Sequence, residues 1–92
     1  MPKLSIINAD GTWFKTAATD PKTNPTTDKA VFFQQESGLP DNQKYQAKKG
    51  QIYSYSAIDM DHKKYNGHYK VTFDPTVRGI ATWYVFNQHV KP

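Results

Sequence analysis

Histidine, aspartate and glutamate are among the side chains of this chain that could perform acid–base chemistry. The histidines are His62, His68 and His89, and none of them lies in a recognisable catalytic motif. Nucleophilic catalysis needs a Ser or Thr beside a His that an acid orients. No such grouping can be read from the spacing, and the chain has neither a Gly-rich phosphate loop nor an HExxH motif. We therefore predict that the protein is not an enzyme and uses no cofactor.

The segment Asp59–His62 begins like a calcium-binding loop, with aspartates at its first and third positions. The pattern then fails, because lysine occupies the fifth position, the sixth, where glycine is needed, and the twelfth, where glutamate is needed. Asp61, His62 and His68 could still meet across a hairpin and hold a transition metal adventitiously. A solvated hairpin tip is the simpler interpretation, so we predict no metal site.

Aromatic residues make up 14% of the chain, although hydrophobic residues in total make up only 37%. Disordered chains are poor in aromatics, so this composition predicts a folded chain built around a few large rings. We expect Trp83 in the core, whereas a core and an exposed position are about equally compatible with Trp13.

Four tyrosines, at positions 53, 55, 65 and 84, are candidates for an exposed binding platform. A tyrosine ring can stack on a sugar or a base while its hydroxyl forms hydrogen bonds. Tyr65 is the one we expect to be exposed, because polar residues surround it. The predicted ligand-binding residues are Tyr53, Tyr55, Lys64, Tyr65, Asn66 and His68.

The chain carries a net charge of +4, and Arg78 is its only arginine. Its lysines are spread along the sequence, which favours a solvated basic surface over a patch that binds polyanions. The aromatic–basic signature of RNA-binding sheets is also missing, so we do not expect nucleic acid as a partner. Without cysteine there is no disulfide framework, thiolate zinc site or cysteine nucleophile.

The 92 residues suffice for one domain, and we predict a single domain over residues 1–92. No apolar run approaches the roughly 18–20 residues of a membrane span, so we expect no membrane partner. The start of the chain is too quickly polar for a signal peptide. We expect synthesis in the cytoplasm and leave open a final location in a virion or a cell envelope. Met1 fits either a complete small protein or an expressed part of a longer one.

Short alternating segments separated by turn signals predict an all-β fold. Strands are expected at residues 3–8, 12–16, 44–48, 51–58, 68–73 and 80–86, with residues 30–35 a strand or one helical turn. The segment 80–86 is apolar throughout, which predicts a central strand covered on both faces. In 68–73 the residues Tyr69, Val71 and Phe73 are predicted to face inward, and His68, Lys70 and Thr72 outward.

The sequence leaves the inward face of the strand at 51–58 undecided and marks two turns. The inward face of 51–58 stays open, because Ile52 and Ile58 fall on the side opposite Tyr53 and Tyr55. Asn66-Gly67 is a strong signal for a hairpin turn, and Asp74–Thr76 predicts a further turn.

Residues 17–38 form a predicted long loop or arm, rich in proline and threonine over its first half. Its second half holds Val31, Phe32 and Phe33. These three residues either cover the barrel of their own chain or contact another protein, and we take them as candidate protein-contact residues.

Several segments of the chain occur in an order that is typical of one kind of module: Leu39–Lys44, Lys49-Gly50, Ser54-Tyr55, Asn66–Phe73, Thr82–Phe86 and His89-Val90. They resemble a bacterial SH3-like module, an accessory domain of cyanobacterial cell-wall hydrolase-type and peptidase-like proteins and of related phage sequences. Thr12–Lys15 is similar to the first strand of that module. The likeness covers roughly residues 4–16 and 39–91, and residues 17–38 depart from it.

The resemblance implies a small SH3-like barrel of five to seven short strands with a Pro/Thr-rich loop insertion. It also implies a non-catalytic binding module that recognises a cell-wall glycan or peptide polymer, through the loop around Asp59–His68. The alternative is a structural or decoration protein of a larger assembly such as a phage virion. In that case the 17–38 arm would anchor the chain, and an oligomer is possible.

Overall fold

The computed structural model describes residues 1–16, 41–65 and 67–92. The predicted arm at 17–38, with Val31, Phe32 and Phe33, the predicted segment 30–35 and the candidate ligand-binding residue Asn66 all lie outside these ranges. The strands are β1 Lys3–Ile6, β2 Thr12–Lys15, β3 Lys44–Ala47, β4 Ile52–Asp59, β5 His68–Val77, β6 Ile80–Phe86 and β7 Val90–Lys91. Short 3₁₀ turns cover Asp41–Gln43, His62–Tyr65 and Asn87–His89.

The strands form one antiparallel sheet in the order β3-β2-β6-β5-β4-β1-β7. The prediction of an all-β fold with five to seven short strands is therefore confirmed. β6 lies inside the sheet between β2 and β5, as its apolar sequence predicts. β3 and β7 end the described order, and closure into an SH3-like barrel stays a prediction.

Strand β4 changes its inward-facing side at a β-bulge between Tyr55 and Ala57. Before the bulge Tyr53 and Tyr55 face the core, and after it Ile58 does. A bulge adds one residue to a strand and so shifts the alternation of its side chains by one. The sequence pattern was ambiguous here because odd-numbered residues face inward before the bulge and the even-numbered Ile58 faces inward after it.

The hairpin between β5 and β6 turns at Arg78 and Gly79, whose φ angles are +53° and +76°. Val77 pairs with Ile80 across this two-residue turn. Positive φ at both central residues is the geometry of a type I′ turn, whose twist matches that of the flanking strands. The hairpin therefore places the single arginine of the chain at a tip.

The predicted turn at Asp74–Thr76 is wrong, because these residues belong to β5. They lie where the pairing of β5 with β6 shifts between Thr72 and Val77. Proline has no N–H to donate and is tolerated in strands at such irregularities. The sequence signal thus marked a break in the ladder and not the end of the strand.

The core lies on one face of the sheet and centres on Phe14. The Phe14 ring stacks on Phe73, with centroids 4.9 Å apart, and lies 6.1 Å from the Trp83 ring. Trp83 is fully buried, which confirms its predicted core position, and its indole N–H donates to the Ile80 carbonyl at 2.9 Å. The buried core comprises Leu4, Ile6, Phe14, Ala47, Tyr55, Val71, Phe73, Val77, Trp83, Val85 and Val90.

The opposite face of β6 is covered as well, which confirms the second half of its prediction. Tyr84 alternates with the core residues Trp83 and Val85, yet it is only 9% exposed. The ring of Tyr65 packs against it at a centroid distance of 5.4 Å. The 3₁₀ turn that carries Tyr65 therefore folds back onto the outer side of the sheet.

Candidate binding site

Tyr65, the tyrosine expected to be exposed, is 5% exposed. Besides packing on Tyr84, it donates its hydroxyl to Oδ2 of Asp59 at 2.9 Å. The expectation of exposure is therefore wrong, because the hydroxyl has a partner six residues away that draws the ring inward.

The connection between β4 and β5 is longer than a two-residue turn. Gly67 has a φ of +86° and precedes β5, while β4 ends at Asp59. The predicted two-residue hairpin is wrong, because the described residues His62–Tyr65 form a 3₁₀ turn and not a strand that pairs with β5.

Asp59 holds this connection together. Its carboxylate accepts hydrogen bonds from the Asp61 N–H at 3.0 Å, from Tyr65, and from Nζ of Lys64 at 3.2 Å. These donors stabilise the charged form, the Asp61 N–H most strongly, and hold the pKa of Asp59 below its usual range. Lys64, a candidate ligand-binding residue, is thus engaged within the loop.

His68, predicted to face outward and bind ligand, is on the outer face but only 2% exposed. Its Nε2 lies 3.5 Å from Nζ of Lys15, itself 8% exposed, and its ring packs edge-on against Phe86 at 5.5 Å. The predicted exposure is wrong because neighbouring side chains cover this face of β5.

The candidate platform tyrosines divide by burial. Tyr55, Tyr65 and Tyr84 are buried, so the predicted exposed platform is wrong for these three. Tyr53 is half-buried. One side of its ring packs on Phe14 and Phe73, at centroid distances of 5.2 and 5.8 Å.

Tyr53 lines a cleft of about 410 Å³. The cleft lies between two tyrosines, Tyr45 on β3 and Tyr53 on β4, and the C-terminal end of β5. We call it the Tyr–Arg cleft; its lining residues are Tyr45, Ile52, Tyr53, Ser54, Pro75, Thr76, Val77 and Arg78. The Tyr45 and Tyr53 rings meet edge to face at 6.5 Å. Ile52, 60% exposed, adds an apolar wall.

The polar groups of the Tyr–Arg cleft include the Tyr53 hydroxyl and the Arg78 guanidinium. Burial, followed by the hydrogen bond and charge of Tyr45, raises the pKa of Tyr53 above its usual range, so its hydroxyl stays neutral. Nη1 of Arg78 reaches the carbonyls of Asp41 and Lys44 at 3.4 Å each. These contacts are long for hydrogen bonds and involve one of the two terminal nitrogens.

The sequence reasoning found Tyr53 but missed Tyr45, Pro75 and Arg78. These residues come from separate strands, and only the sheet order brings them together. One signal was available: Tyr45 and Tyr53 have the same inward phase on consecutive strands.

Within the described ranges, no group of three or more histidines and acidic residues is placed to hold a metal ion. Also among described residues, no helix has the length and apolarity needed to cross a membrane. Comparison of the chain with protein-family models, curated proteins and solved structures finds no significant match in any of the three. The likeness to the SH3-like module therefore rests on the sequence motifs quoted above.

Proposed function

We propose that this protein is a non-catalytic binding module whose Tyr–Arg cleft holds a segment of a cell-wall polymer. The observation that carries the proposal is the pair of edge-to-face tyrosines beside the only arginine of the chain. The proposed binding surface is therefore this cleft and not the Asp59–His68 loop. Of the predicted ligand-binding residues, Tyr53 lines it.

The size and lining of the cleft suit a small segment of polymer. Ligand sites usually enclose about 300–1,000 Å³ and combine an apolar lining with a few polar groups that fix orientation. Here Tyr45, Tyr53, Pro75 and Val77 supply the apolar part, and Ser54 and Arg78 supply hydrogen bonds. The lining contains neither histidine nor carboxylate, the usual proton-transfer groups, which favours binding over catalysis.

Arg78 determines the chemistry of the proposed ligand. A guanidinium pairs with a carboxylate through two parallel hydrogen bonds, a geometry that lysine does not offer. The peptide part of a cell-wall polymer carries carboxylates and apolar side chains, which match the arginine and the tyrosine rings. We therefore assign the peptide part of the polymer to this cleft.

The test is co-sedimentation of the protein with purified peptidoglycan sacculi, using Arg78→Asn. Asparagine accepts positive φ better than arginine and forms the preferred type I′ pair with glycine. The hairpin should keep its shape, and the melting temperature should be equal or higher. Loss of a charge-assisted pair worth about 1.5–3 kcal/mol should weaken binding by about 10–150-fold.

Lys63→Asn is the matched control, because it removes the same charge from an exposed position in the 3₁₀ turn. It should bind like the parent at every salt concentration tested. If both variants lose binding equally, the interaction is a nonspecific charge effect and the proposal is wrong. If the parent does not sediment with sacculi at all, the cell-wall ligand is wrong.

A further inference from the structure

A second cleft, of about 580 Å³, opens beside Trp13. We call it the Trp cleft; the lining residues on which the argument rests are Asn8, Asp10, Thr12, Trp13, Gln46 and His89. Trp13 and Gln46 are direct cross-strand partners on β2 and β3. They alternate with the core-facing Phe14, Tyr45 and Ala47. The Trp cleft therefore lies on the opposite face of these strands from the Tyr–Arg cleft.

Trp13 is held in place as a half-exposed ring. Nζ of Lys44 lies 5.2 Å from the centroid of its indole, which is cation–π distance. Gln46 flanks it on β3. A tryptophan fixed in this way presents apolar surface without losing much rotamer freedom when a ligand arrives.

The polar groups around the ring are donors and acceptors of several kinds. In the part of the chain that the structure describes, neither the Asp10 carboxylate nor the Gln46 side-chain amide makes a hydrogen bond. Asn8 donates its amide to the Gly11 carbonyl at 2.7 Å, which leaves its oxygen as an acceptor. His89 is fixed by a 2.8 Å contact of its Nδ1 with the Thr12 hydroxyl.

A neighbouring cavity of about 360 Å³ extends the Trp cleft. The two cavities share Asp10, Gly11 and Gln46, and the second also has Lys48 and Lys49 in its lining. Because the two cavities share these lining residues, they lie side by side, and a ligand of more than one unit could contact both.

From this arrangement we infer that the Trp cleft is a binding site for a neutral oligosaccharide. A pyranose ring has an apolar face of C–H groups that can stack on an indole, and hydroxyls on its edge that need both donors and acceptors. Amides and a carboxylate around an aromatic ring supply that combination. The lining of the Trp cleft itself has the Asp10 carboxylate and neither lysine nor arginine, while Lys48 and Lys49 line only the neighbouring cavity. Beside the Trp13 ring this charge disfavours a phosphate backbone, which favours a sugar chain over single-stranded nucleic acid.

The inference stands on its own geometry and does not require the Tyr–Arg cleft to bind peptide. Its test accordingly uses soluble sugars without peptide. The two tryptophans give two indole N–H signals in a ¹H–¹⁵N spectrum. Trp83 is fully buried with its N–H bonded to the Ile80 carbonyl, so only the Trp13 signal should move when ligand binds.

The probes are chitotetraose and cellotetraose, titrated into the intact chain, with a thymidine octanucleotide in parallel. Either sugar should shift the Trp13 indole signal and leave the Trp83 signal in place. Trp13→Ala should weaken binding about thirtyfold, as expected for an aromatic anchor. Gln46→Ala, at an exposed position of β3, should weaken it about two- to tenfold.

Gln88→Ala is the matched control, because it truncates the same side chain at an exposed position that does not line the cleft. It should bind like the parent. The inference is overturned if neither sugar binds at millimolar concentration, or if only the oligonucleotide binds. It is also overturned if Gln46→Ala and Gln88→Ala weaken sugar binding equally. Sacculus binding through Arg78 can succeed or fail independently of all these outcomes.

Discussion

At the scale of single residues, the partner of a side chain decides its role more than its sequence neighbours do. Tyr65 lies among lysines in the sequence, but Asp59 and Tyr84 hold it against the sheet. Tyr53 alternates with serines on β4, and its ring reaches both the core and the Tyr–Arg cleft. Binding surfaces are therefore expected where a ring has one face left over after packing.

Asp59 gives a pH-dependence prediction. Its pKa is lower in the folded chain, so the unfolded chain binds more protons as the pH falls. The stabilising contribution is present above the unfolded pKa, about 3.9, and is lost as the pH falls through the lower folded value. Asp59→Asn should therefore be less stable than the parent at pH 7, and the difference should narrow towards pH 2–3. Urea unfolding at several pH values measures both.

Asp61→Asn is the control for this prediction, because the Asp61 backbone N–H, and not its side chain, contacts Asp59. It should track the parent across the same range. A difference between Asp59→Asn and the parent that stays constant from pH 7 to pH 2 would contradict the role assigned to the carboxylate.

At the scale of elements, backbone geometry at the strand ends sets the pairing. Gly11, with φ of +75°, joins the β1 end of the chain to β2, and its N–H donates to the Asn8 carbonyl at 2.9 Å. A Cβ at this position would overlap the Ala47 carbonyl oxygen on β3. The absence of a side chain therefore permits the close approach of the turn to the end of β3.

The glycine prediction compares Gly11→Ala with Gly50→Ala. Both glycines have positive φ, but a Cβ at Gly50 would meet nothing within 4 Å. Gly50→Ala should cost only the left-handed backbone penalty, about 1–2 kcal/mol. Gly11→Ala should cost about 3 kcal/mol or more, because the overlap with β3 adds to that penalty. Chemical denaturation measures both, and equal losses would show that the close approach to β3 is unimportant.

The elements were largely predictable, and the exceptions have physical causes. Alternation, turn signals and the unbroken apolar run of 80–86 together located every described strand except the two-residue β7, and that apolar run also indicated burial on both faces. Pro75 suggested a turn because proline is common in turns, yet it lies in an irregular strand. The bulge in β4 could not be located from the sequence. Tyr53 and Tyr55 before the bulge and Ile58 after it all face the core, which a strictly alternating strand does not allow.

At the scale of the whole molecule, sheet order assembles the candidate sites. Tyr45 and Arg78 are far apart in the sequence and meet because β3 and the β5–β6 hairpin end on the same cleft. Trp13, Gln46 and His89 come together in the same way on the other side. No local motif marks either cleft, so a sequence-only search could propose tyrosines but not the residues opposite them.

The last prediction concerns oligomeric state, on which the two functions suggested by the sequence differ. A binding module with its own clefts should be monomeric, with the 10.5 kDa mass of one chain. A decoration protein should assemble through the 17–38 arm. The large apolar side chains exposed among the described residues are Met1, Ile7, Ile52 and Met60. Isolated exposed apolar residues are normal on monomers. Light scattering after size exclusion, at tens of micromolar, should therefore report a monomer for both the parent and the Phe32→Ser, Phe33→Ser double variant.

A symmetric oligomer of the parent that the double variant dissociates would favour the assembly role, because the candidate contact residues would then join the subunits. In that event the sacculus experiment should be repeated on the dissociated variant, whose Tyr–Arg cleft retains all its lining residues.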